Sequence, residues 1–485
     1  MRGILFTHSY FLKFDPKQNK LQQPYAPLGT ITAASFMREN GYVVSLHDSM
    51  FCNGPDDIIP AIEKAKPDYL VIYDDGFNYL TKMCLSNMRK AAFNLIEIGK
   101  KYGCKVIISS SDATDHYEEY LHKGADFVII GEGELTLLDL VNSIENGDND
   151  FKSINGIVYL DDDKVIKTDP RQVIQDIDTL PMAAWDLVDI KMYKSKWMSK
   201  YGYFSINMAT TRGCPYKCNW CAKPIYGNRY NSRSPEKVIE ELLYLNEIAG
   251  FDHVWFCDDI FGLKPGWMEE FAKLTANKNL NFRYKIQSRV DLLLKGDTLK
   301  LLSDSGCETI WMGVESGSQK ILDAMDKGTR IEQVYEATDR IKALKMKPAF
   351  FLQFGYLGET REDIDKTVKM LLDLMPYDIG ISVSYPLPGT KFYDKVKTEL
   401  SKKTNWTDSN DLAMMFKNTY QTGYYRLLHR TVHKKFRKKQ ALDAIKDIVT
   451  QFKKPAGKTL YKAASALYYI PMAAFSSFRL KWSRG

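Results

Sequence analysis

Short apolar runs alternate with longer amphipathic segments along most of this 485-residue chain. In the first third, apolar runs of four or five residues lie at 3–7, 43–47, 69–73, 105–108 and 127–130. Strands of this length between helices are typical of a parallel sheet that is covered on both faces. The pattern predicts an α/β fold in which residues 1–150 form a doubly wound, Rossmann-like sheet that binds ligands at the carboxyl ends of its strands.

A second series of alternating segments follows. Strands are predicted at 252–257, 283–286, 309–314, 347–354 and 379–385, with helical patterns between them. This regular repeat predicts an open or closed parallel barrel over residues 201–395, with its working residues at the strand ends. Residues 151–200 are predicted as a connector that contains a hairpin at 154–163. Helical patterns dominate from about residue 400, so we predict a mainly helical region over 396–485.

Charge and composition limit the function classes. The chain is 45% hydrophobic and 26% charged, as globular proteins are, and its net charge of +7 is concentrated near the C-terminus. Residues 451–485 hold seven basic residues and no acidic one. The rest of the chain is near neutral, which does not favour nucleic-acid binding.

The same composition predicts the location of the protein. No signal peptide or spanning segment is visible, and eight cysteines are too few for a disulfide scaffold, so we expect a cytoplasmic protein. Residues 463–478 are mostly apolar, are broken by Pro471 and are flanked by basic residues. Two interpretations stay open: a helix packed on the barrel, or peripheral contact with the inner face of the membrane.

Three cysteines carry the strongest chemical signal. Cys214, Cys218 and Cys221 form a C-x3-C-x2-C pattern, and no fourth cysteine or histidine lies within ten residues. A structural zinc site takes four protein ligands, and a cubane iron–sulfur cluster usually takes four thiolates. Three thiolates can hold three irons of a cubane and leave the fourth iron open. A zinc site with a distant fourth ligand and three buried thiols are the alternatives.

This spacing, with Trp220 directly before the last cysteine, resembles the cluster-binding loop of the radical S-adenosylmethionine (SAM) superfamily. The resemblance implies a [4Fe–4S] cluster held by the three cysteines, whose open iron is chelated by the amino and carboxylate groups of SAM. It also implies that an electron from the cluster cleaves SAM to methionine and a 5′-deoxyadenosyl radical. For residues 201–395 the resemblance implies a partial (β/α)6, TIM-like barrel.

Polar residues follow the predicted barrel strands where this superfamily binds SAM. The resemblance assigns the SAM amino group to the acids after the first of these strands, and the ribose or carboxylate to polar residues after the second. A helix cap and a surface ion pair are the structural alternatives. The implied SAM-binding residues are Trp220, Asp258, Asp259, Gln287, Arg289, Glu315, Ser316 and Gly355, the last in a glycine-rich turn near the adenine.

The N-terminal third resembles the cobalamin-binding domain of one class of radical SAM proteins. The resemblance is carried by Pro27-Leu28-Gly29 before the first long helix and by the Gly-Glu-Gly-Glu turn at 131–134. No H-x-x-G sequence occurs, so the histidine that replaces the lower cobalt ligand in many cobalamin domains is missing. Turn and cap roles are equally open at these positions. The implied cobalamin contacts are Asp48, Ser109, Gly131, Glu132 and Gly133.

The resemblance implies cobalamin-dependent methylation of an unactivated carbon in a small-molecule or lipid-like substrate. The cluster would take its electron from a donor such as flavodoxin or ferredoxin. Radical cyclisation or rearrangement, as in the anaerobic cyclase of (bacterio)chlorophyll synthesis, is one alternative, and a non-catalytic binding module that kept the fold is another. His429 and His433 have a metal-binding i,i+4 spacing, but they lie among basic residues and are predicted to be on a solvated face.

Overall fold

The computed structural model describes residues 3–148, 150–278, 280–451 and 457–483. The N-terminal sheet has seven strands in these residues, in the order β2-β1-β3-β4-β5-β6-β7. The first five pair in parallel, and the predicted hairpin adds β6 and β7 antiparallel to the edge of the same sheet. The strands are β1 Gly3–Thr7, β2 Val43–His47, β3 Tyr69–Tyr73, β4 Lys105–Ser109, β5 Phe127–Ile129, β6 Ile157–Asp161 and β7 Lys164–Lys167.

Helices cover both faces of this sheet. One buried cluster joins the sheet to α3, α5 and α7, and a second joins its other face to α2 and α8. Burial of the strands on both sides explains their continuous apolar runs. The helices are α1 Pro16–Leu21, α2 Leu28–Glu39, α3 Ile59–Ala65, α4 Tyr79–Lys82, α5 Ser86–Lys101, α6 Ser111–Asp115, α7 Tyr117–His122, α8 Glu134–Glu145 and, after the sheet, α9 Ile190–Tyr201.

A second sheet of six strands forms the partial barrel, in the order β15-β14-β13-β12-β11-β8. All of its neighbouring strands are parallel, and the predicted fold class is confirmed. The sequence analysis did not locate its first strand. The six strands are β8 Ser205–Met208, β11 His253–Phe256, β12 Arg283–Ser288, β13 Cys307–Glu315, β14 Lys347–Phe354 and β15 Asp378–Val383, and a separate short pair is β9 Thr211–Arg212 with β10 Asn231–Ser232.

The barrel helices begin at recognisable caps. Ser234 caps the helix that starts at Pro235, and Thr360 with Asp363 forms a capping box at the helix that starts at Arg361. The barrel helices are α10 Pro235–Ile248, α11 Trp267–Asn277, α12 Val290–Leu293, α13 Thr298–Asp304, α14 Gln319–Ala324, α15 Ile331–Ala343, α16 Arg361–Leu374 and α17 Lys391–Val396.

The C-terminal region differs in part from its prediction. Residues 400–421 are irregular, although helical patterns were predicted from about residue 400, and a bridge between Leu400 and Phe416 orders them. Their apolar run is buried in the main core instead of forming one face of a helix. The helices begin after this segment, as α18 Thr422–Gln451, α19 Gly457–Ala464 and α20 Ala466–Trp482.

Pro471 lies inside α20, which continues through it. A proline removes one backbone donor, and here packing on α18 offsets that loss. Ser476 of α20 accepts a hydrogen bond from Lys434 at 2.8 Å, and Ala473 and Leu480 are buried. None of the helices in the described ranges is long and apolar enough to cross a membrane.

Candidate functional site

The three cysteines lie on a long loop between β9 and β10, at the carboxyl end of the first barrel strand. All three are half-buried and none is in a disulfide. Gly213 begins the loop with a φ of +81°, and a Cβ there would lie 2.5 Å from the carbonyl oxygen of Arg229. Only glycine fits this close approach, which turns the chain into the cysteine loop.

Asn219, between the second and third cysteines, anchors the loop to the barrel. Its side-chain amide donates to the Ala324 carbonyl at 2.8 Å, and its side-chain oxygen accepts from the Tyr356 hydroxyl at 2.7 Å. Its backbone N–H and carbonyl bond to Met325 and Phe392. With both its backbone and its side chain paired, Asn219 fixes the middle of the loop while leaving the flanking thiols free to bind a ligand.

Two of the three thiols need a cation to ionise. Burial raises the pKa of Cys214, and it raises the pKa of Cys221 to about 12. Metal coordination deprotonates such thiols outright. The Arg289 guanidinium lies 3.8 Å from the Cys218 sulfur and stacks on the Tyr216 ring, so a fixed positive charge already faces the loop.

The donor set fits an iron–sulfur cluster better than a zinc ion. Among the described residues, no three His, Cys, Asp or Glu side chains converge to hold a single metal ion. A cubane does not need such convergence, because each thiolate binds a different iron. The Trp220 indole N–H is buried here without a hydrogen-bond partner in the described chain, so a donor is left over beside the cysteines.

Asp258 supports the start of the cysteine loop. It is buried, and its carboxylate accepts hydrogen bonds from the backbone N–H and the hydroxyl of both Thr210 and Thr211. Burial raises its pKa to about 6, which these hydrogen bonds oppose. Asp259 instead pairs with Lys82 of the N-terminal sheet region at 2.7 Å. Both acids implied for the SAM amino group therefore already have protein partners, and neither caps the following helix.

Further polar groups lie at the next two strand ends. Arg289 is buried and forms a fork with Asp291 at 3.0 and 3.2 Å, while the Gln287 side chain is half-buried on the same strand. Glu315 adopts a φ of +61° at a register shift in β13 and pairs with buried Lys327 at 2.9 Å. A non-glycine residue in this conformation is strained, and such strain is concentrated at functional sites.

Ser316 and Gly355 are both packed by neighbouring segments. The Ser316 hydroxyl is fully buried and lies 3.2 Å from that of Thr367. Gly355 has a φ of +78°, and a Cβ there would lie 2.3 Å from the Met414 methyl group. The irregular segment at 400–421 therefore covers the glycine-rich turn after β14.

The sequence analysis missed Glu359 in this turn. One of its carboxylate oxygens accepts from the Gly355 N–H at 2.6 Å, and the other is buried with no partner among the described residues. Burial raises its pKa to about 8, so it is largely protonated at neutral pH. The sequence signal that could have identified it is a glutamate four residues after Gly355 in the same turn.

The residues implied for cobalamin lie at the carboxyl edge of the N-terminal sheet. Asp48 accepts from the Tyr193 hydroxyl at 2.7 Å and pairs with His8, which the sequence analysis also missed, at 2.9 Å. Ser109 is buried at the end of β4. Gly131 has a φ of +80°. Gly133 packs closely against the Tyr73 ring, and a Cβ at position 133 would lie 2.7 Å from that ring.

The carboxyl ends of the two sheets face each other. Arg212, two residues before Cys214, forms buried ion pairs with Glu132 and with Glu134, the latter at 2.7 Å. Tyr226, beyond the cysteines, stacks under the same guanidinium at 5.3 Å. The structure therefore brings the Gly-Glu-Gly-Glu turn at 131–134 and the cysteine loop together at the seam between the two sheets. Asp48 and Ser109 lie elsewhere, at the ends of β2 and β4.

Comparison with known proteins agrees with this geometry. Residues 208–371 match the radical SAM superfamily. An uncharacterized methyltransferase of Pyrococcus horikoshii is 28% identical over 392 residues, which cover 78% of this chain and 80% of the relative. An anaerobic magnesium-protoporphyrin IX monomethyl ester cyclase of Synechocystis sp. is 27% identical over 384 residues, covering 76% of this chain and 72% of the relative.

Two solved structures share the fold. OxsB, a cobalamin-dependent SAM radical enzyme solved with aqua-cobalamin and SAM, has a TM-score of 0.73 and covers 99% of this chain and 72% of its own. The radical SAM methyltransferase TsrM from Kitasatospora setae was solved with cobalamin and a [4Fe–4S] cluster. Its match has a TM-score of 0.67 and covers 81% of this chain and 77% of the TsrM chain. Each is 17% identical to this chain. Residues 208–371 therefore form a radical SAM domain.

Proposed function

We propose that this chain is a cobalamin-dependent radical SAM enzyme that methylates an unactivated carbon of a small molecule. Cys214, Cys218 and Cys221 hold a [4Fe–4S] cluster, SAM binds at the barrel strand ends, and cobalamin binds at the carboxyl edge of the N-terminal sheet. The cobalamin domain spans 1–150, the connector 151–200, the barrel 201–395 and the helical region 396–485.

The seam between the two sheets carries this proposal. Parallel α/β sheets bind ligands at the carboxyl ends of their strands, and here two such edges face each other. Arg212 joins them directly, since it precedes the cysteine loop and pairs with Glu132 and Glu134 of the opposite turn. A substrate between these edges would meet both cofactors.

The cofactors supply the hard chemistry: the cluster donates the electron that splits SAM, and cobalamin carries the methyl group. The chain supplies position and charge. Asp258 fixes the start of the cysteine loop and Asn219 its middle, and Arg289 holds a positive charge near Cys218. The electron comes from a reductant such as flavodoxin or ferredoxin.

Substitution of one cysteine tests the cluster. In anaerobically reconstituted protein, Cys214→Ala should abolish SAM cleavage by dithionite-reduced enzyme, because three thiolates are needed to hold the cubane. The control is Cys52→Ala, a half-buried cysteine outside the loop, which should keep wild-type cleavage. Wild-type cleavage by Cys214→Ala would refute the proposal.

Cyclisation is the second candidate, since cyclase relatives match three quarters of the chain. The two reactions differ in product mass. Methylation adds one CH2 unit to the substrate, whereas an oxidative cyclisation does not. Mass spectrometry of the product made with methyl-labelled SAM therefore separates them: label in the product supports methylation, and an unlabelled ring product supports cyclisation.

We also propose that α19 and α20 contact an anionic membrane surface and that the substrate is lipid-like. One side of α20 packs on α18, while the opposite side exposes an apolar stripe with a period of three to four residues. Leu467 is 85% and Trp482 70% exposed on this stripe, and Phe475 and Phe478 lie between them. Basic residues flank it at Lys462, Arg479 and Lys481, whereas Lys453, Lys454 and Arg484 and the side chain of Lys458 lie outside the described residues.

Vesicle binding tests this contact. The full-length protein should co-sediment with phosphatidylglycerol vesicles and bind less to phosphatidylcholine, because each basic residue near an anionic surface contributes about 1 kcal/mol. Phe475→Ser with Phe478→Ser should release the protein. The control is Leu344→Ser, an exposed leucine on the barrel. Equal binding of both variants, or no binding by the wild type, would contradict the contact.

A further inference from the structure

The inner face of the barrel carries an aromatic surface. On β12, Tyr284 packs outward against Phe271 of α11, so the alternating residues Lys285 and Gln287 point to the concave side. Trp255 lies beside Lys285 in register on β11. Further round the sheet, Trp311 stacks on Phe351 at 4.7 Å, and Phe351 is 36% exposed.

The ammonium group of Lys285 lies on the inner face of the barrel. Its ammonium donates to the Tyr25 hydroxyl at 3.0 Å and lies 5.2 and 5.0 Å from the centroids of the Tyr25 and Trp255 rings. No described carboxylate lies within ion-pair distance of it. A lysine has three N–H donors, and within the described part of the chain only one of them has a partner, which leaves two for a ligand.

The N-terminal region borders the barrel beside Lys285. Tyr79, from α4, lies 6.3 Å from the Trp255 ring and is 46% exposed. Burial lowers the pKa of Lys285 to about 8.

We infer that the barrel lumen binds a substrate that carries a negatively charged group, held by the Lys285 ammonium, on a flat or apolar body that lies against Tyr25, Trp255 and Tyr79. This assignment of a substrate class rests on the proposed function of the same site. An anion satisfies the two unused ammonium donors and replaces the missing carboxylate, while the aromatic rings bury the apolar body.

The position of Lys285 orients such a substrate. Lys285 lies three residues before the end of β12 at Ser288, a rise of about 10 Å, and Arg289 follows that end directly. Arg289 lies beside the Cys218 sulfur. The anionic end of the substrate therefore points toward the amino end of the barrel, and the carbon that reacts lies one flat ring system away, near the cysteine loop.

A matched pair of probes tests the inference. Binding of 2-naphthoate and of neutral 2-naphthamide to the full-length reconstituted protein is measured by equilibrium dialysis. Naphthoate should bind the wild type about ten-fold more tightly than the amide, which corresponds to about 1.4 kcal/mol. Lys285→Met should remove this preference, and Lys285→Arg should keep most of it, because the arginine retains the charge.

Lys300→Met, a lysine on the outer surface, should bind both probes as the wild type does. Equal affinity of the wild type for the two probes, an unchanged preference in Lys285→Met, or no naphthoate binding at millimolar concentration would each overturn the inference. SAM cleavage by the wild type is measured on the same preparation. Absence of cleavage with the naphthoate preference intact would refute the proposed function and leave the anion site standing.

Discussion

At the scale of residues, local and distant signals differ in what the sequence reveals. The spacing of the three cysteines within eight residues was enough to predict a set of ligands, and the structure places all three on one loop. The partners of Arg212 could not, since Glu132 lies eighty positions earlier and only the folded chain brings the two together. Asp258 shows the same limit. Its position in the sequence indicated a ligand contact, but in the structure its carboxylate accepts hydrogen bonds from Thr210 and Thr211.

Arg212 gives a direct prediction at this scale. Arg212→Met leaves two buried carboxylates facing each other without a cation, and breaking a buried ion pair in this way costs about 3–5 kcal/mol. Urea unfolding of the apoprotein should show this loss. The triple variant Arg212→Met, Glu132→Gln, Glu134→Gln should recover part of it, because it removes the stranded charges. A loss below about 1 kcal/mol in the single variant would contradict the buried pairing.

At the scale of elements, the spacing of apolar residues predicted most strands and helices. It failed where contacts with distant parts of the chain determine the local conformation. Residues 400–421 have helix-like apolar spacing, but burial of Trp406 and Met415 in the barrel core holds them as irregular chain. His429 and His433 were predicted on a solvated face, which is wrong: both rings are half-buried and lie 4.5 Å apart.

These two histidines predict a pH dependence. Their folded pKa values, about 3 and 4, lie below the unfolded value of about 6.5, because burial and the charges of Lys17, Arg430 and Arg437 oppose protonation. The neutral rings therefore contribute stability that is complete above pH 6.5 and is lost as pH falls below it.

Between pH 7 and pH 5 the wild-type apoprotein should lose on the order of 2 kcal/mol more unfolding free energy than a His429→Gln, His433→Gln variant. Urea unfolding at the two pH values measures the difference. The control is His122→Gln, which replaces an exposed histidine and should follow the wild type. Parallel losses in the wild type and the double variant would contradict the burial of the pair.

At the scale of the whole molecule, the sequence predicted two α/β units but not how they meet. That relation depends on side chains from separate units: Lys82 with Asp259, and Arg212 with the Gly-Glu-Gly-Glu turn. It also depends on Tyr25, which reaches from the N-terminal region to Ser205 and Lys285 inside the barrel. No local pattern encodes such contacts, although they decide where a substrate could lie.

The central claim is that the cysteine loop holds a cubane cluster with one iron open to SAM. Electron paramagnetic resonance of the reconstituted, dithionite-reduced protein, recorded before and after addition of SAM, tests it most directly. We predict a signal of a reduced [4Fe–4S] cluster whose g-values shift when SAM is added, because SAM becomes a ligand of the open iron. The absence of a cluster signal, or a signal that SAM leaves unchanged, would contradict the claim.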